Sequence, residues 1–159
     1  MKPTFLSKTL LLTGLIALAL AGTAHAHTAI APLGDIDDQG SNTAVADITC
    51  FNDGNGEPDH LLASIKDLSP PVPGLLINLQ MLKGKTFAPG QPIIATSTTD
   101  PVSGDTEASD YILLHRGGGV YTIMLNKTGP GTREFELVWH CNAADGTHTG
   151  TDIVVTQYQ

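Results

Sequence analysis

The sequence predicts an all-β chain: a single antiparallel β-sandwich, jelly-roll or immunoglobulin-like, closed by one disulfide and preceded by a cleaved export segment. Three observations predict it. Beyond Ala44, apolar residues recur at every second position in one stretch after another. Pro and Gly clusters separate those stretches. No stretch after residue 26 carries the 3.6-residue period of an amphipathic helix.

The elements follow in chain order. Lys2 and Lys8 open a leader whose run from Leu10 to Ala21 is apolar except at Thr13 and Gly14. Ala24-His25-Ala26 then supplies the small residues that a signal peptidase reads, so residues 1–26 are expected to be removed on export. The run is short for a membrane span, and no later segment matches it, so no membrane insertion is expected after cleavage. Residues 27–43, with Asp35, Asp37 and Asp38, read as a polar, acidic arm or edge segment. The sandwich itself is expected over residues 44–159.

Within it, Ala46, Ile48 and Cys50 share one face of a strand, and Leu61, Ala63 and Ile65 repeat the pattern. Leu75, Ile77, Leu79 and Met81 do so again. Pro92 to Thr96 is a short candidate, and Tyr111 to His115 is apolar enough to predict a buried strand. Tyr121, Ile123 and Leu125 form one face of the next strand, and Phe135, Leu137, Trp139 and Cys141 one face of another. Thr151 to Gln157 closes the chain. Ser69-Pro70-Pro71-Val72-Pro73-Gly74, Pro89-Gly90, Gly117-Gly118-Gly119 and Gly129-Pro130-Gly131 break these runs with turn chemistry.

Cys50 and Cys141 are the only cysteines. In an exported chain they are expected to pair. Each alternates with core residues, so the bridge should be buried near the single Trp, with His140 on the outward side of its strand.

Loss of Lys2 and Lys8 leaves six basic against sixteen acidic residues. That balance excludes nucleic acid and anionic lipid as general partners, because both call for a positive surface. No GxSxG elbow or HExxH helix is present, and Asp and His lack a spacing that selects a triad. The chain therefore reads as a non-catalytic binding or structural protein, periplasmic or secreted, with a protein or glycan ligand.

Two segments carry metal-ligand chemistry. Cleavage after Ala26 would leave His27 at the new N-terminus, where its amine and ring nitrogen form a chelate that one more His completes. Nitrogen ligands in such an array suit copper(II). Cleavage after Ala24 would give His25-Ala26-His27, a His at position three and also a square-planar chelator. His60, His115, His140 and His148 are available partners. His140 and His148, which flank the loop Asn142–Thr147, are the preferred ones. Separately, Asp53, Asn55, Glu57 and Asp59 place oxygens at every second residue, a spacing that calcium favours. Pro58 and Ser64 stand where an EF-hand would have its Gly and bidentate Glu, so a polar hairpin turn competes with that reading. An oxidative, glycan-cleaving copper enzyme is disfavoured, because the aromatics are few and most are expected to alternate inward.

Gly119-Val120-Tyr121-Thr122-Ile123-Met124-Leu125, followed by a Gly-rich turn and Phe135-Glu136-Leu137, resembles the closing strands of the bacterial pre-peptidase C-terminal domain. Asp110-Tyr111-Ile112-Leu113 is similar to its Asp-Leu-Tyr-Leu strand, and Asp47-Ile48-Thr49-Cys50-Phe51 to its opening strand. The resemblance covers about residues 44–141. It implies a jelly-roll-like accessory module of exported proteins and brings no catalytic residues.

Overall fold

A computed structural model of the chain describes residues 27–34, 42–84 and 93–158. The leader, the acidic Asp35/Asp37/Asp38 patch and Pro89-Gly90 lie outside them. The described residues form nine strands and no helix. They are β1 (His27–Leu33), β2 (Thr43–Phe51), β3 (His60–Asp67), β4 (Ile77–Lys83), β5 (Ile94–Thr99), β6 (Ile112–His115), β7 (Gly119–Lys127), β8 (Arg133–Asn142) and β9 (Gly150–Gln157).

Two antiparallel sheets stack, in the orders β1-β8-β3-β6 and β5-β4-β7-β2-β9. β1 pairs with β8, β2 with β7, β3 with β6 and β4 with β5. The strand numbers of each of these pairs sum to nine, the signature of one long antiparallel ribbon rolled across two layers. This is the jelly roll rather than the immunoglobulin-like order. β9 then adds to β2 and extends the second sheet by one strand.

Period-two alternation fills the space between the sheets. Ile48, Leu61, Ile65, Ile77, Leu79, Met81 and Tyr121 are all essentially inaccessible, and Phe135, Leu137 and Trp139 nearly so. Cys50 on β2 and Cys141 on β8 are bonded across the layers, with Cα atoms 5.5 Å apart. Both belong to the core cluster that contains Trp139, and His140 falls on the outward phase of β8.

Three expectations change. Tyr111 to His115 is not a strand buried on both faces. β6 is the edge of its sheet and alternates, leaving Tyr111 and Leu113 about half exposed while Ile112 and Leu114 face the core. The aromatics do not mostly point inward: Phe51, Tyr111 and Tyr158 are exposed, against Tyr121, Phe135 and Trp139 buried, and Phe87 lies outside the described residues. The first seven residues of the segment read as an arm or edge form edge strand β1, in keeping with the edge reading, although its Leu33 reaches the core. Its small residues Ala29 and Ala31 pack against that core. The candidate at Pro92–Thr96 is realised two residues later, as β5.

The far end of the first sheet holds a polar group that spacing did not announce. Asp67 is fully buried, and its carboxylate accepts hydrogen bonds from Arg133 Nη2 (2.6 Å) and Nε (3.1 Å), Ser103 Oγ (3.0 Å) and the Ser69 amide (3.0 Å). Arg133 Nη2 also donates to the Pro70 carbonyl and to Ser103 Oγ. A buried ion pair is tolerable only when its remaining donors and acceptors are satisfied in this way.

Candidate metal centre

Register brings the histidines together. His27 opens β1 opposite Trp139, His140 lies opposite Leu62, and His60 is flanked by Asn142 on one side and His115 on the other. Asn142 bridges in turn to His148. All five described histidines therefore lie at one end of the β1-β8-β3-β6 sheet, although 121 positions separate the first from the last in sequence.

Of the three residues singled out for copper, His148 meets each of the other two. The His27 and His148 rings stack with centroids 5.2 Å apart, and His140 meets His148 edge-on at 5.5 Å. Trp139 backs the group, its ring 5.8 Å from that of His27. Each member arrives by a different route. His27 lies on the inward phase of β1 with Ala29, Ala31 and Leu33. His140 is on the outward phase of β8. His148 is carried back to the same strand end by the Ala143–Thr147 turn. There the Ala143 amide donates to the Thr147 carbonyl, and the Thr149 amide to that of Cys141. Because β1 and β8 are antiparallel, the backbone nitrogen of His27 is on the His140 side of the His27–Trp139 pair.

Electrostatics match that crowding. Burial, reinforced by the charges of His148 and then His27, holds His140 below the ordinary imidazole pKa of 6.5, which keeps its lone pair free near neutrality. Two buried polar atoms here make no hydrogen bond, His148 Nε2 and Trp139 Nε1. Buried polar atoms are rarely left so, and an unbonded imidazole nitrogen is a ready metal ligand.

The calcium quartet is not drawn together. Glu57 Oε1 accepts from Asn52 Nδ2 at 2.7 Å, Asp53 Oδ1 accepts from the Asn55 amide at 3.1 Å, and Asn52 Oδ1 takes the Gly54 amide. Asp59 turns instead to His60 and His115. The segment is a turn built from Asx hydrogen bonds, the competing reading of its polar spacing.

Spacing alone did not reveal that Asp59, His60 and His115 belong together. Only the facing of β3 and β6 joins residues 56 positions apart. Comparison with protein-family models, with curated proteins and with solved structures finds no match for this chain.

Proposed function

We propose that this chain is an exported, non-catalytic copper-binding protein whose site is built on His27. Removal of residues 1–26 frees the His27 amine. The amine, a ring nitrogen of His27 and the unbonded Nε2 of His148 then supply nitrogen ligands of the type copper(II) prefers, with His140 alongside. The observation that carries the reading is the 5.2 Å stacking of the His27 ring on that of His148, a residue 121 positions away. The antiparallel register supports it further, because the amine would emerge on the His140 side. Cleavage after Ala24 remains the variant of the same proposal, with His25-Ala26-His27 as the chelate. The leader and the buried disulfide both favour an oxidising destination, periplasmic or extracellular. Within the same proposal, the likeness to the pre-peptidase C-terminal domain is one of sandwich architecture and export.

Intact mass of the natively purified protein fixes the N-terminus. Copper(II) is then titrated into the mature protein, its N-terminally acetylated form and the His148→Ala variant. One tightly held equivalent with nitrogen hyperfine splitting in its EPR spectrum is expected, weakened by both changes. Affinity indifferent to acetylation and to His148→Ala would sink the proposal.

A further inference from the structure

A second group of ligands stands on the outward side of the same sheet, on the β3–β6 side of β8. His60 opens β3 and His115 ends β6, directly opposite one another, with ring centroids 4.7 Å apart. Asp59 Oδ2 lies 3.0 Å from His60 Nδ1 and 2.6 Å from His115 Nδ1. One ligating atom from each of the three falls within 4.8 Å of the other two. Among the described residues, no other set of three His, Cys, Asp or Glu side chains does this.

The group is held before any ion arrives. The Asp59 amide donates to the Asn142 carbonyl at 2.7 Å, and the Asp59 carbonyl accepts from the Gly117 amide at 2.9 Å. Its backbone is thus clamped between β8 and the β6–β7 turn. His60 is buried and fixed by ladders on both sides, whereas the His115 side chain is 63% exposed. The two imidazoles share one carboxylate oxygen, and that draws the Asp59 pKa below its usual 3.8, the hydrogen bond from His115 contributing most.

We propose that Asp59, His60 and His115 bind a divalent transition-metal cation of the zinc class, independently of the His27 centre. Two imidazole nitrogens and one carboxylate oxygen are a ligand set zinc takes, with the fourth position left to water or a fourth ligand from outside. Tetrahedral ligands about 2.0–2.1 Å from zinc are spaced about 3.3 Å apart. The His115 Nδ1–Asp59 distance must then open by less than about 1 Å, a movement an exposed side chain makes freely. Zinc at each Nδ1 would take the place of the hydrogen now shared with the carboxylate; each neutral ring keeps its single proton by carrying it on Nε2, so both imidazoles bind as neutral ligands.

The test uses zinc(II) itself. It is titrated into the metal-free protein and into a His27→Ala/His148→Ala variant, where the copper centre proposed above is disabled. Imidazole ¹⁵N and Asp59 carboxyl resonances report the site. One zinc is expected in the double variant, moving the His60 and His115 signals together. His115→Ala and Asp59→Asn, both at accessible side chains, should each weaken it by at least about tenfold, since even outer partners of a ligand are worth roughly ten- to a hundredfold. Zinc that leaves these resonances unmoved, or affinity unchanged by both substitutions, overturns the proposal. Either result leaves the His27 reading to its own titration.

Discussion

Reducing the disulfide should remove a large share of this protein's stability while leaving the fold intact. Cys50 and Cys141 are 91 positions apart, and their bond closes that loop in the unfolded chain. The chain-entropy relation gives about 15.5 cal/mol/K for a loop of this length, or about 4.6 kcal/mol at 25 °C. Domains of this size are stable by about 5–15 kcal/mol, so the reduced protein should fold, but marginally. Urea titration with and without reductant measures the loss. The single tryptophan is 4% exposed, so its fluorescence follows the core. With a urea slope of about 2 kcal/mol/M, the midpoint should fall by about 2 M. The reduced wild type is the cleaner comparison because it keeps both sulfur atoms in the core. A Cys50→Ala/Cys141→Ala variant adds the cavities those atoms leave and should lose more. A loss below about 1 kcal/mol in the reduced protein would mean that loop closure does not govern the effect.

Other outcomes follow from the same structure. Asp67→Asn leaves the Arg133 guanidinium buried without its anion and should cost about 3–5 kcal/mol in urea unfolding. Asp67→Leu combined with Arg133→Met should cost much less than the two single changes added together, and an additive pair would show that the ion pair is not the coupled unit. Tyr121→Phe removes the hydroxyl that donates to the Gly117 carbonyl at 2.7 Å, so about 1 kcal/mol of stability should be lost, with faster amide exchange around the β6–β7 turn. The Asp59 carboxyl should titrate below 3.8 by carbon NMR and move back toward that value in His115→Ala. Its folded pKa is depressed, so its stabilising contribution is present above 3.8 and is lost as pH falls through the folded value. A midpoint above 3.8 would contradict the geometry of the Asp59–His115 hydrogen bond.

The two proposed metal groups lie at one end of one sheet and are built from different residues. The His27 group lies where the start of β1 and the end of β8 meet the turn that carries His148, and the Asp59 group is on the β3–β6 side. Among the described residues the Asp59 set takes no side chain from the His27 group, while β3 and β8 are neighbours about 4.8 Å apart, so a metal held at one group would act on the other through its charge rather than through a common ligand. Titrating the two metals separately and then together would therefore read both sites and any repulsion between them.

Much of the fold was legible in the sequence because a sheet's periodicity is local. Residues two apart share a face wherever a strand forms, so Ile48 and Cys50, Leu61 and Ile65, and Leu137 and Trp139 could be assigned to the core from spacing alone. The same rule placed Cys50 and Cys141 inward, and compartment chemistry then paired them. Spacing says nothing of which strand lies beside which. The jelly-roll order, the edge position that exposes Leu113, the use of His27–Leu33 as a strand and the burial of Asp67 against Arg133 were all decided by pairing across the chain. So was the meeting of His27 with His148 and of Asp59 with His115. Local pattern chose each residue's face, whereas its neighbours were chosen by long-range pairing that buries the whole apolar surface at once.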